Sequence, residues 1–147
     1  MLFRSDCCDC DDDHTRGIVP ISGVDAATFE MILEFIYSVK VPKIKDGQTA
    51  DMLLEAADRF GCTGLKLHIE SIIVDKFLKV SNAAFWLVTS DAHSCALLKE
   101  ASMDLYRSNA SKVLESDGWV RVEESSKLLA ELLKHCTGKS QIGRAHV

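Results

Sequence analysis

Residues 29–38 read FEMILEFIYS, and the order of their side chains governs how the rest of the chain is taken. Phe29, Ile32, Leu33, Ile36 and Tyr37 fall at i, i+3, i+4, i+7 and i+8, a single apolar stripe along an α-helix. Upstream, Asp25 has the short acceptor side chain that caps such a helix. Before it, residues 17–24 (GIVPISGV) read as a short strand, with Ile18, Val19 and Ile21 as β-branched content. Pro20 has no ladder donor, which places that strand at a sheet edge or puts Pro20 at its end.

Downstream the helical period continues. Pro42 and Gly47 bound a lysine-bearing loop. Thr49 is read as the cap of a second helix whose stripe is Ala50, Leu53, Leu54, Ala57 and Phe60, closed by Gly61. A third helix carries Leu65, Ile69, Ile72, Ile73 and Phe77. Ser81 or Asn82 opens a fourth, with Ala84, Leu87 and Val88 inward, and a fifth covers about 94–107 with Leu97, Leu98, Ala101 and Leu105. Val113 and Leu114 form a helical turn before Gly118, and a last helix at 126–135 uses Leu128, Leu129, Leu132 and Leu133. The pattern predicts a mainly α chain after one short strand, without internal repeats. Residues 137–147 show no apolar period and are expected to be a disordered tail. The terminal IGRAHV (142–147) back-translates to a widely used sequencing adapter and is expected to be transcript read-through rather than protein.

Composition narrows the function classes. With 147 residues, 47% hydrophobic and 27% charged, the chain can form one domain or a small domain with an appendage. A net charge of −5 argues against nucleic acid as the main partner, because phosphate binding needs a basic face. No apolar run reaches the length of a membrane span, and Arg4, Asp6 and Asp9 interrupt any signal-peptide stretch. The six cysteines are therefore expected to be free thiols in a reducing compartment, cytosol or nucleus.

Three groups of residues invite a chemical reading. Cys7, Cys8, Cys10 and His14 are soft ligands, but adjacent Cys7 and Cys8 fit poorly on one tetrahedron. With Asp9, Asp11, Asp12 and Asp13 they read better as a solvated acidic loop, so no metal or other cofactor is expected. Asp91, His93 and Cys95 suggest a cysteine nucleophile, yet residues two apart on a helix point to different sides. Cys95 is expected to be a small buried hydrophobe and the chain not to be an enzyme. Residues 61–64 (GCTG) match the GXXG loop of KH-type RNA binders, but a helix cap followed by a tight turn accounts for them, and Gly64-Leu65-Lys66 lacks the spacing of a phosphate loop. Trp119 is expected to anchor helices, and one of Phe85 and Trp86 to be exposed.

FEMILEFIYS at 29–38 and AADRFG at 56–61, followed by Leu65, Lys66 and Glu70, resemble the later part of a BTB/POZ domain. Asn82-Ala83-Ala84, Asp91, His93, Leu98-Lys99 and VLESDGW at 113–119 resemble the helical 3-box or BACK region of the speckle-type POZ and MATH-BTB adaptors. The resemblance covers about residues 1–135 and implies three parts. These are the C-terminal part of an α/β BTB/POZ domain over 1–79, a helical extension over 80–136, and the tail at 137–147.

In that family the BTB domain forms a homodimer and binds a cullin scaffold, the extension widens the contact, and a separate domain captures the substrate for ubiquitination. The resemblance implies that the N-terminal half of the BTB domain lies upstream of Met1, so Leu2 and Phe3 would end a helix. The family's hydrophobic-x-Glu cullin contact falls nearest Cys7-Cys8-Asp9, making Cys7 and Asp9 the candidate partner-binding residues, with a weaker hydrophobe and a shorter acid. That departure favours an alternative, a self-associating BTB scaffold, for instance in transcriptional control, without a cullin. Ser90 also stands where the family usually has alanine. Ile36 and Trp119 are expected to be buried anchors, one in each module. The stripe through Leu53, Leu54 and Phe60 is expected to be exposed for want of upstream partners.

Overall fold

The computed structural model describes residues 2–4 and 18–145, with side chains over 20–138. It is mainly helical, as the apolar periods predict, and divides into two compact units, Met1–Pro42 and Lys43–Val147.

In the first unit, β1 (Leu2–Arg4) pairs antiparallel with β2 (Ile18–Pro20), Leu2 opposite Pro20 and Arg4 opposite Ile18. Leu2 and Phe3 are thus strand residues rather than the end of a helix, because their backbone groups find ladder partners in β2. Pro20, unable to donate, sits at the end of the strand. Helix α1 (Ala26–Ser38) starts where Asp25 Oδ2 accepts from the Thr28 N–H at 3.1 Å. Its first two turns bury Thr28, Phe29 and Ile32. Ile36, expected to be a core anchor, is 53% exposed. Periodicity marks which side chains share a face, but cover requires another element laid over it, and among the described residues Ile36 and Tyr37 are left exposed.

The second unit begins with α2 (Gly47–Arg59), whose cap is Asp46 rather than Thr49: Asp46 Oδ1 accepts from the Thr49 N–H at 2.7 Å. A Schellman turn follows. Gly61 lies at φ 69°, its N–H donates to Asp58 O, and the Cys62 N–H donates to Ala57 O. This turn folds α3 (Thr63–Ile72) back onto α2, so Leu53 and Leu54 are fully buried with Leu65 and Ile69. The expected exposure of Leu53 and Leu54 is therefore corrected: α3 and the segment after it supply the cover. That segment, Ile73–Phe77, widens to a π-turn in which the Leu78 N–H donates to Ile73 O at 2.7 Å.

A 3₁₀ turn (Val80–Asn82) leads into α4 (Ala83–Ala92) and α5 (Ala96–Ser108). Asn82 fixes this junction, since its Oδ1 accepts from the Lys79 N–H at 2.7 Å and its Nδ2 donates to Phe77 O at 2.8 Å. The turn between α4 and α5 is a second Schellman motif, with Cys95 N–H donating to Ser90 O, but the left-handed position at φ 55° is held by Ser94 instead of glycine. Then come α6 (Ala110–Leu114), α7 (Trp119–Glu123), not foreseen from the sequence, and α8 (Ser126–Ala145). Helix α8 runs well beyond residue 135, which replaces the expected disorder over 137–145 by helix. Ala84, Leu87, Met103, Val113, Trp119, Val122, Leu128 and Leu132 form one core. Trp119 stacks on Tyr106 with centroids 5.3 Å apart. Just before it, Gly118 lets α7 approach α4 so closely that a Cβ there would stand 3.1 Å from the Phe85 backbone nitrogen.

Candidate interaction site

In the first unit the apolar surface concentrates at the end of α1. Ile36 and Tyr37, 85% exposed, are followed by Val39, 74% exposed, and Val41, also exposed. Val39 holds φ 57°, a conformation that crowds a β-branched side chain, with its N–H donating to Phe35 O at 2.8 Å. Four large apolar residues within the six positions 36–41 therefore face outward around a strained helix end. Such a grouping is what a protein-docking surface needs, since scattered single exposures are ordinary and contiguous ones are not. The apolar stripe had marked Ile36 and Tyr37, but as core. Cys7 and Asp9, the candidate partner-binding pair, lie outside the described residues, as do Cys8, Cys10 and His14.

In the second unit a polar lattice holds the helices at fixed angles. Lys66 on α3 bridges Asp58 on α2 at 2.8 Å and also donates to the His93 carbonyl. His93 Nδ1 lies 3.1 Å from the other Asp58 oxygen. Lys66, then His93, hold the Asp58 carboxyl below the usual carboxylate range. Glu70, 2% exposed on α3, accepts through Oε2 from the Leu97 N–H at 3.1 Å and the Leu98 N–H at 3.3 Å. It caps α5 from outside, and Cys95, at the N-cap position of α5, makes no side-chain bond to the first N–H groups of the helix. The signal in the sequence was a carboxylate set directly after Ile69 and shortly before Ile72 and Ile73.

Lys99 on α5 bridges Asp91 on α4 at 2.8 Å and also pairs with Glu131 on α8. Burial draws the Lys99 pKa down, but its hydrogen bonds to Asp91 and Glu131 outweigh that and the net shift is upward. Ser90 is buried and donates to Leu87 O at 2.8 Å.

His93 and Cys95 do not form a nucleophile–base pair. The imidazole is turned to Asp58, while the Cys95 thiol is buried and donates to the His93 backbone carbonyl at 3.7 Å. Burial, then Glu70, push that thiol up to about 12, so it stays protonated at neutral pH and is a poor nucleophile. Gly61 and Gly64 are accounted for by the Schellman turn and the first turn of α3. Of the neighbours Phe85 and Trp86, Trp86 is the buried one. Cys62, Cys95 and Cys136 are free thiols, and among the described residues no helix is long and apolar enough to cross a membrane.

The BTB/POZ domain family model matches residues 1–77, more than half of the chain. The chain belongs to the BTB/POZ family. TD and POZ domain-containing protein 4 of Mus musculus is 32% identical over 130 residues, covering 88% of this chain and 35% of that protein. TD and POZ domain-containing protein 2 of Mus musculus is 32% identical over 121 residues, covering 82% of this chain and 33% of its own length. The chain thus spans about a third of the length of these relatives. BTB/POZ domains are protein-interaction modules, and the outward apolar run at 36–41 falls inside the matched region.

Proposed function

We propose that this BTB/POZ chain is the scaffold-binding part of a substrate adaptor for a cullin-type ubiquitin ligase, acting in the cytosol or nucleus. The observation that carries the reading is the reach of the similarity. A match of 130 residues cannot fit inside the 77 of the BTB/POZ model, so it continues into the helices after residue 80. The residues that resemble the 3-box or BACK extension hold junctions there. Asn82 locks the entry to α4, Asp91 and Lys99 tie α4 to α5, and Trp119 fills the core beside Gly118. On this reading the BTB part covers 1–79 and the extension 80–136. The run at 36–41 and the pair Cys7 and Asp9 contact the cullin. Homodimerisation and substrate capture belong to a longer polypeptide.

Co-elution of the chain with the N-terminal region of a cullin tests this. The wild type should co-elute, and Tyr37→Ala and Asp9→Lys should each weaken the complex. Self-association without any cullin complex would overturn the reading in favour of the BTB scaffold without a cullin, which the Cys7-Cys8-Asp9 departure favours.

A further inference from the structure

A recess of about 310 Å³ opens between the first turn of α2 and the start of α4, lined by Gly47, Gln48, Asp51, Asn82, Phe85 and Trp86. Gly47 leaves room over the indole: a methyl built there would stand 3.6 Å from Trp86 Cζ2. Phe85 packs edge-on to Trp86, centroids 5.0 Å apart, so aromatic rings form one wall. Asp51 lies one turn after Gly47 on the same face of α2. Helical side chains lean toward the N-terminus of their helix, which carries the Asp51 carboxylate over the recess.

The charge of Asp51 is the unanswered one. Asn82 is committed, its oxygen to Lys79 and its nitrogen to Phe77. Asp46 is committed as the cap of α2, where it also offsets the positive end of that helix. Asp51 is half-buried and makes no hydrogen bond or ion pair among the described residues. Glu55, one turn further along α2, adds like charge, so burial, then Glu55, raise the Asp51 pKa. His93 draws it the other way, but its imidazole is turned to Asp58. A partly desolvated carboxylate without a partner is unfavourable, and a cation is what relieves it. Aromatic rings beside the carboxylate favour the same charge. A bare metal ion needs several oxygen ligands, and among the described residues no group of three His, Cys, Asp or Glu side chains could hold one. A guanidinium fits both walls, its N–H fork on the carboxylate and its flat face on a ring. The volume is at the small end for ligand pockets and suits one side chain.

We propose that this recess binds an arginine side chain of a protein partner, the guanidinium donating to the Asp51 carboxylate and stacking on the Phe85 ring. The site goes beyond the cullin reading and does not rest on it.

The test is a nuclear magnetic resonance titration of the chain labelled with ¹⁵N and ¹³C, read on the Gly47 backbone N–H and the Asp51 carboxyl carbon. The probes are N-acetylarginine methylamide, its neutral counterpart N-acetylcitrulline methylamide, and N-acetyllysine methylamide. A saturable shift in the millimolar range is expected with the arginine probe, weaker binding with lysine and none with citrulline. Asp51→Asn keeps the shape of the side chain and, read on Gly47, should weaken arginine binding at least about tenfold, the worth of a hydrogen bond to a charged group. Asp75→Asn removes an exposed carboxylate elsewhere and should leave binding unchanged. Gly47→Ala meets Trp86 at an ordinary contact distance, so α2 should stay folded while the narrowed recess binds arginine more weakly. No saturable shift with the arginine probe, equal binding of citrulline or lysine, or undiminished binding by Asp51→Asn would overturn the proposal.

Discussion

Replacing Glu70 by alanine removes the cap of a helix to which Glu70 does not belong. Its Oε2 serves the Leu97 and Leu98 N–H groups at 3.1 and 3.3 Å, at the start of α5. Each donor left buried without an acceptor costs about 1–3 kcal/mol. Loss of the negative charge from the positive end of the helix adds about 0.3–1 kcal/mol. Opposing both, a buried carboxylate is relieved of a desolvation penalty of several kcal/mol, in practice roughly offsetting half the loss. The net expectation is about 1–3.5 kcal/mol of destabilisation, a large share of the about 5–15 kcal/mol a domain has. At about 2–4 °C per kcal/mol, the Tm falls by roughly 2–14 °C. Glu70→Gln keeps an acceptor oxygen and should lose less than the alanine variant. Urea unfolding followed by far-ultraviolet circular dichroism gives both values. A Glu70→Ala variant within about 0.5 kcal/mol of wild type, or a glutamine variant as unstable as the alanine one, would refute the capping role.

Gly118→Ala should destabilise by about 1–3 kcal/mol, because the methyl meets the Phe85 backbone nitrogen, which cannot move aside; thermal melts check this. Ser94→Gly should raise stability by about 0.4–1 kcal/mol in the same assay, since glycine holds the left-handed turn without strain. Asp58 is held below the usual carboxylate range in the folded chain, so its contribution is present above that range and lost as pH falls through the folded value. Asp58→Asn should therefore flatten the acid side of a plot of Tm against pH. Cys95 should resist thiol reagents at pH 8 until the chain unfolds, while the partly exposed Cys62 and Cys136 react first, as mass spectrometry of labelled peptides can read.

Much of the helical order was legible because it rests on local pattern. The stripes of α1 to α5 and the glycine closing α2 follow from spacing that any reader of the sequence can check. What was not legible is long-range. Ile36 continues the stripe of Phe29 and Ile32, and nothing in its spacing says that the cover stops one turn earlier. Leu53 and Leu54 were expected to lack partners, because only the three-dimensional return of α3 supplies them. Asp46 displaced Thr49 as the cap by accepting from the N–H of Thr49 itself, so the helix starts three residues earlier than expected. Glu70 and Trp86 matter through groups at a distance in sequence, so their roles emerge only when α3 meets α5 and when the indole edge meets Gly47. The candidate pair Cys7 and Asp9 stands on family resemblance, not on geometry.

On the proposed function, the apolar run at 36–41 is the surface that docks a cullin. The direct measurement is the Kd of the chain for the N-terminal region of a cullin by isothermal titration calorimetry, for wild type, Tyr37→Ala and Leu67→Ala. Tyr37 and Leu67 are both exposed, and only Tyr37 lies in the run. A tyrosine at the centre of an interface contributes about 2 kcal/mol or more, so Tyr37→Ala should weaken binding at least about thirtyfold while Leu67→Ala leaves it unchanged. Equal affinity of all three proteins, or no binding by the wild type, would contradict the account.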